Sequence, residues 1–293
     1  MLDPKRVADF REALTPWALS ARRDLPWRRT RDPWAVLVSE VMLQQTQVAR
    51  VIPKWADFLM AFPTVESCAR APQSSVVRLW EGLGYHRRAV SLHRAAQAVV
   101  SEFDGVFPRT LTELQRLPGI GPYTARAVLA FAFECDAAVV DTNVGRILAR
   151  AVIGRKCSSS EAQSIADSLA PKAESWSWNQ GLLDLGATVC TKQDPHCDAC
   201  PLRSLCTWRS GGFGSADPAI GSAGVSGGQS RFAGSDRQGR GRLLAALRNG
   251  PVPIVDVMSV MGWPDDAERT NRVAQSLVLD GLARRGDQGY ELS

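Results

Sequence analysis

Leu117-Pro118-Gly119-Ile120-Gly121-Pro122-Tyr123-Thr124-Ala125 and, after an apolar helical run, Val139-Val140-Asp141-Thr142-Asn143-Val144-Gly145-Arg146 are the segments around which this chain is organised. A Pro-Gly-x-Gly turn cannot continue a helix. Its two glycines permit positive φ and close backbone approach, so the amide N–H groups opening the next helix can face an anion such as a phosphate. About twenty residues on, Asp141 stands where a helix should start, ahead of Asn143-Val144-Gly145-Arg146-Ile147-Leu148. One carboxylate is thereby held at a helix N-terminus, within reach of whatever the turn grips. A lone Asp at such a place serves equally well as a plain N-cap, and the two roles are compatible.

The 293 residues suffice for one or two cores, with two domains the natural expectation. With 45% hydrophobic and 22% charged residues, the composition is that of an ordinary soluble protein. No apolar run approaches the roughly twenty residues of a membrane helix. The N-terminus, bearing Asp3, Lys5, Arg6, Asp9, Arg11 and Glu12, has no signal-peptide character. A cytoplasmic monomer with no membrane partner is the expectation. Net charge is +5, and after Phe213 nine Arg are balanced by nine Asp and Glu, so the basic excess lies in residues 1–212. That placement suits a polyanionic partner. Only five of the 35 basic residues are Lys, and none falls between Lys54 and Lys156.

From Val7 to about Ile153 the apolar residues recur at helical spacing, as in Trp34-Ala35-Val36-Leu37-Val38 through Met42-Leu43. The first domain therefore reads as all-α, residues 1–209, with short connections. A helix over roughly Ser160–Ala173 precedes Asn179 to Ala187, which leads into the cysteines. Residues 210–241 read as a linker, since Arg209–Gly241 holds ten Gly and six Ser in 33 residues. Residues 242–293, with three short helical runs and an Arg-Gly-Asp-Gln-Gly turn before Tyr290, predict a small winged-helix-like α+β domain.

Cys190, Cys197, Cys200 and Cys206 are separated by six, two and five residues. Four thiolates packed this tightly in a reducing compartment are a metal site before they are disulfides. Spacing alone does not choose between zinc and an iron–sulfur cube. Cys68, Cys135 and Cys157, scattered among apolar or small neighbours, read as buried thiols.

Together the hairpin, Asp141 and the Cys-x6-Cys-x2-Cys-x5-Cys loop resemble the helix-hairpin-helix DNA glycosylases with an iron–sulfur loop, the endonuclease III and MutY group. Within that group, Leu25-Pro26-Trp27-Arg28, Ser39-Glu40-Val41-Met42-Leu43-Gln44-Gln45-Thr46-Gln47-Val48 and Gly82-Leu83-Gly84-Tyr85 resemble the MutY adenine glycosylases. The resemblance runs from about Asp24 to Cys206. It implies a 4Fe-4S cluster on the loop 190–206, a structural or DNA-binding element because hydrolysis needs no redox step. It also implies a nucleoid-associated repair enzyme whose partner is double-stranded DNA carrying adenine opposite 8-oxoguanine or guanine.

Removing adenine from deoxyribose needs an acid for the leaving base and a carboxylate beside the cationic sugar, the two-carboxylate logic of glycoside hydrolysis. The resemblance makes Glu40 the acid, and an apolar setting such as Val41, Met42 and Leu43 is what a carboxyl needs to hold its proton near neutrality. Asp141 is the ionised partner and Asn143 orients sugar or water. Tyr123 stands where the bifunctional lyases of the group carry a Schiff-base lysine; a phenol forms no imine, which implies a monofunctional enzyme leaving an abasic site. By resemblance Gln45 fills the vacated stack, Tyr85 wedges beside the opposite base, Arg23, Leu25, Trp27 and Gln44 line the adenine pocket, and Gly119 and Gly121 contact phosphate.

The chain departs from the family pattern at His86, where an aromatic is usual, and at Thr142, where glycine is common. His93 reads as a helix-surface residue. No histidine follows His196, and residues 230–293 are short for the Nudix-like domain that typically ends such proteins. Two other readings are a thymine or uracil mismatch glycosylase on the same scaffold and a non-catalytic DNA-binding protein.

Overall fold

The computed structural model describes residues 2–214, 216–222 and 231–293. In chain order the helices are α1 (Pro4–Ser20), α2 (Pro33–Leu43), α3 (Val48–Ala61), α4 (Val65–Arg70), α5 (Gln73–Leu79), α6 (Arg87–Glu102), α7 (Leu111–Leu114), α8 (Pro122–Phe131), α9 (Thr142–Ile147), α10 (Ser159–Leu169), α11 (Ser175–Thr188), α12 (Thr207–Ser210), α13 (Asp236–Asn249), α14 (Val257–Met261) and α15 (Ala267–Leu279). Three short strands, β1 (Val252–Pro253), β2 (Ala283–Arg285) and β3 (Gly289–Leu292), lie near the C-terminus. The chain forms two compact units. Met1–Leu37, Arg109–Gln115 and Gly121–Gly228 make the first, and Val38–Pro108, Arg116–Ile120 and Gln229–Ser293 the second.

In the first unit, Phe10, Leu14 and Ala18 form an i, i+4, i+8 stripe on α1, and all three are buried. The Phe10 and Trp178 ring centroids lie 6.1 Å apart, which fixes α1 against α11. Val144 and Ile147 of α9 and Leu169 of α10 complete this core. Beyond α9 the helix widens over Leu148–Ile153, where Gly154 N reaches back five residues to Ala149 O at 2.8 Å. Gly154 ends it at φ 71°, the left-handed conformation glycine adopts without penalty.

In the second unit Phe58 of α3 meets Trp80 edge to face, 6.1 Å apart at 85°, above the buried Val51, Val76 and Leu92. His93 is buried rather than on the helix surface, because its ring shares a 3.0 Å hydrogen bond with Ala71 O. The C-terminal module of this unit is an α+β fold of three helices and an antiparallel sheet ordered β1-β3-β2. Arg285 and Val252 both pair with Tyr290, whose buried ring stands on the same core as Leu243, Leu247, Met261, Val273 and Leu277.

The span read as a linker carries more structure than its composition suggests. Asp217 pairs with Arg150, and the buried Ser222 hydroxyl accepts from Cys157 N at 3.1 Å. α13 opens already at Asp236, because the Ser235 hydroxyl caps it by accepting from Gln238 N. Residues 215 and 223–230 of that span lie outside the described residues.

Candidate active site

Gly121, with extended backbone at φ −88°, caps α8, and Pro122 follows at its first position. Nothing lies within 4 Å of a Cβ built on Gly121, so its value is open approach and not positive φ. Tyr123 sits in the first turn of α8, partly buried. Asp141 caps α9 with one carboxylate oxygen, which accepts from Asn143 N and Val144 N, each at 2.8 Å. The other oxygen accepts from Asn143 Nδ2 at 2.8 Å. Burial pushes the Asp141 carboxyl upward, and the three donors oppose that shift without reversing it.

Asn143 is itself fixed. Its Oδ1 accepts from Arg146 Nη2 at 2.8 Å, and Arg146 also donates to Gly186 O and, through Nε, to Cys190 O, each at 2.6 Å. A Cβ on Gly186 would stand 2.5 Å from the Asn143 Cβ, so α9 and α11 touch backbone to side chain at this point. One buried arginine thus ties the Asp141–Asn143 pair to the start of the cysteine loop. Sequence reading missed Arg146. Its signal was a cation three residues after Asn143 on an otherwise apolar helix.

Leu25 and Trp27, around the one-turn helix Pro26–Arg29, are buried, whereas Arg23 is partly exposed. Arg23 Nε donates to Asp184 Oδ1 at 2.5 Å, while Arg28 bonds both Asp184 oxygens at 2.7 and 2.8 Å. Burial raises the Asp184 carboxyl, but bonds from Arg28 and Arg23 outweigh it and hold the group below the usual carboxylate range. The guanidinium of Arg23 is therefore anchored on a buried carboxylate. Sequence reading found neither Arg28 nor Asp184.

In the second unit, every residue of α2 from Trp34 through Met42 that belongs to it is buried, Glu40 included at 6% exposure. Gln45 and Tyr85 both adopt left-handed backbone, φ 54° and 45°, flanked by Gly82 and Gly84 at φ 82° and 71°. Such conformations on non-glycine residues persist only where surroundings over-determine them. Arg88 supplies that determination. Its Nη1 donates to the carbonyls of Val41, Met42 and Gln44 at 2.7, 2.9 and 2.6 Å. Its Nη2 donates to Leu83 O, Gly84 O and Thr46 Oγ1 at 3.1, 3.0 and 3.0 Å. One side chain caps the C-terminus of α2 and holds the turn that presents Tyr85. Burial lowers Arg88 to about 10, still protonated at neutral pH.

His86, beside the wedge, is pushed down to about 4 by burial and by the charges of Arg248, Arg88 and Arg240. Its neutral ring lies 3.4 Å from Arg248 Nη1. Gly119 turns at φ 77°, and a Cβ there would lie 2.5 Å from the Ser91 Cβ, so only glycine fits on α6. Gln44, Gln45, Tyr85 and Gly119 line a single cleft.

Cys190, Cys197, Cys200 and Cys206 line one small cavity of about 30 Å³ whose other walls include Ile147, Leu185 and Leu202. Arg150 Nη1 donates to Cys190 Sγ at 3.5 Å. Among the described residues no three His, Cys, Asp or Glu side chains are drawn onto one metal centre. The donor set, four soft thiols around an apolar hollow with a cation to offset thiolate charge, nevertheless fits a thiolate-bound metal or cluster.

This hairpin, N-cap carboxylate and helical framework define a helix-hairpin-helix base-excision protein. Residues 38–172 match the family model of the HhH-GPD superfamily base excision DNA repair protein. Two solved structures share the fold: a thermostable thymine-DNA glycosylase (TM-score 0.66, 28% identity, 71% of this chain and 98% of that one) and a trapped endonuclease III–DNA covalent intermediate (TM-score 0.64, 25% identity, 73% and 100%). The adenine DNA glycosylase of Mycolicibacterium smegmatis is 43% identical over 280 residues, 94% of this chain and 93% of the relative. The chain belongs to the adenine DNA glycosylase family. Among the described residues no helix is long and apolar enough to cross a membrane.

Proposed function

We propose that this chain hydrolyses the N-glycosidic bond of adenine opposite 8-oxoguanine or guanine in duplex DNA, is monofunctional, and leaves an abasic site. What carries the reading is the buried carboxyl of Glu40 within α2 and, in the other unit, the N-cap carboxylate of Asp141 on α9, in a chain 43% identical to a curated adenine DNA glycosylase.

The chemistry follows from what each group can do. Glu40 donates a proton to a ring nitrogen of adenine, so the base departs neutral while positive charge develops at C1′ of the sugar. Asp141, ionised, stabilises that charge. Its donors Asn143 and Val144 fix the carboxylate in place, which spares reorganisation during the reaction. Water then adds at C1′, and the Glu40 carboxylate accepts its proton. Tyr123 offers no amine, and no lysine occurs between Lys54 and Lys156, so imine formation has no nucleophile in that stretch. The four cysteines would hold a 4Fe-4S cluster, which when bound would cross-link the loop; the hydrolysis itself transfers no electron.

Single-turnover base release on duplexes presenting A opposite 8-oxoguanine, A opposite G, A opposite T, and T or U opposite G tests the reading. Adenine released from the first two alone, with strand breaks only after hot alkali, is the expected result. Release of T or U would make the site a pyrimidine site. Prompt strand cleavage with a borohydride-trapped adduct would refute monofunctional chemistry.

A further inference from the structure

After the cysteine loop the chain folds back on the first unit over Asp217–Ser222, where Ala219 and Ser222 are buried. The Ser222 hydroxyl accepts from Cys157 N at 3.1 Å and donates to Pro218 O at 2.5 Å. Asp217 is fixed in turn, because its Oδ1 accepts from Ala219 N at 2.9 Å. Its carboxylate thereby meets Arg150 as a fork: Oδ1 accepts from Nε at 3.0 Å and Oδ2 from Nη2 at 2.6 Å. The Arg150 side chain is 3% exposed and that of Asp217 18%, so the pair is largely closed to water.

The other edge of the same guanidinium faces the cysteine loop. Nη1 donates to Cys190 Sγ at 3.5 Å and to Thr191 O at 2.7 Å, and Nη2 reaches Lys192 O at 3.3 Å. The guanidinium carbon lies 5.0 Å from the centre of the Trp208 ring, which Phe213 meets edge to face at 5.0 Å. Arg150 stands in the widened turn Leu148–Ile153, and its own carbonyl accepts from Cys206 Sγ at 3.5 Å. One residue therefore touches the first and the last of the four cysteines. A fork closed at Nε and Nη2 fixes the plane of the guanidinium, and with it the direction of Nη1. Partners that orient a ligand, hydrogen bonds to its sulfur and exclusion of water set how firmly a thiolate site holds its metal and at what potential it is reduced.

We infer that Asp217–Ser222 is a clamp on the four-cysteine site, with Asp217 the positioning residue that aims Arg150 at Cys190 and so tightens the hold on a bound metal and raises its reduction potential. The inference rests on the assignment of the four cysteines to a metal cluster and is independent of which base is excised. It also gives a sign that a mere surface charge would not. Removing a negative charge near a redox centre raises its potential. Releasing the N–H donor that touches the sulfur lowers it, and the guanidinium stands between the carboxylate and Cys190.

The test uses the full-length protein, purified without oxygen, with iron and zinc counted first. Two quantities are then read: the rate at which a metal chelator strips the site, and the reduction potential by protein-film voltammetry. Arg150→Met should release metal about 10- to 100-fold faster than the parent, the range for losing the outer partner of a metal ligand, and Asp217→Ala about 10-fold faster. Both potentials should shift downward, and Asp217→Glu, which keeps a carboxylate for the fork, should return most of each change. In an Arg150→Met background, Asp217→Ala should add nothing to either quantity, because Asp217 acts through Arg150. Where Arg150→Met does not fold, the sign of the Asp217→Ala shift and its reversal by Glu decide alone. Release at the parent rate, a potential that rises in Asp217→Ala, or an undiminished Asp217 effect without Arg150 would overturn the inference. A parent holding zinc alone fails the cluster assignment, and zinc release from the same proteins then decides the clamp. A parent holding neither metal overturns both.

Discussion

His86 offers a direct measure of how tightly the C-terminal module packs on the wedge turn. The ring lies in a shell of charge: Arg248, Arg88 and Arg240 push its proton off, Arg87 flanks it, and Glu81 and Asp280 are the carboxylates lining the same cleft. Its ionisation drops from 6.5 to about 4, a difference worth about 3 kcal/mol at 1.36 kcal/mol per unit. The folded state binds this proton more weakly than the unfolded state. Stability is therefore fully present above pH 6.5 and is lost as pH falls from 6.5 toward 4. Urea unfolding at pH 7, 6, 5 and 4.5, with His86→Gln beside the parent, isolates the contribution, because Gln keeps an acceptor for Arg248 but takes no proton. The two proteins should differ least in pH slope above 6.5, and the parent should lose stability faster below it. The chain has only three histidines, so a proton NMR titration with His86→Gln as the assignment reads the ring itself. A His86 midpoint near 6.5 would mean the ring is solvated and would refute the packing of Arg248 against it.

Asp141→Asn should abolish base release while DNA binding persists; in the parent, the single-turnover rate should rise with pH through an ionisation above the ordinary Asp range, because burial raises this carboxyl. Asp184→Asn leaves Arg23 and Arg28 without their buried partner and should cost about 3–5 kcal/mol in urea unfolding. Arg88→Met strands carbonyls that it satisfied and should destabilise by about 1–3 kcal/mol and, in variants that still fold, lower base release on A opposite 8-oxoguanine, since the turns presenting Gln45 and Tyr85 lose their common anchor. Anaerobically purified protein should carry iron with a brown chromophore, and Cys200→Ser should lose it; zinc without iron would overturn the cluster assignment.

Much of the fold was legible because its signals are local. Pro-Gly-x-Gly punctuates the chain wherever it occurs, and the α1 stripe of Phe10, Leu14 and Ala18 reads at helical spacing. Three-helix runs ending in a Gly-rich turn also predicted the α+β module that the structure shows. What stayed hidden are long-range partnerships. Asp184 lies 156 residues from Arg28, and nothing in either neighbourhood announces the pair. Arg88 bonds carbonyls 44 to 47 residues away, and a backbone acceptor leaves no trace in side-chain chemistry. His93 looked polar on its helix, but its ring is buried and bonds to Ala71 O. The Gly- and Ser-rich span misdirected for a different reason: Ser235 and Ser222, counted as signs of a linker, act as a cap and as an acceptor for a backbone amide.

The contact of Gly186 with Asn143 sets a tolerance on the position of the reactive carboxylate. A methyl group at residue 186 would need room that Asn143 already occupies, so α11 must slide or Asn143 must turn. Either adjustment moves the donor that holds one Asp141 oxygen. Position 186 is thus a gauge for the site: Gly186→Ala alters no charge and no polar group, and its overlap should cost about 1–3 kcal/mol of stability while also lowering turnover. A substitution that looks conservative in an inventory of side chains is, at this spacing, a change in the geometry of the transition state.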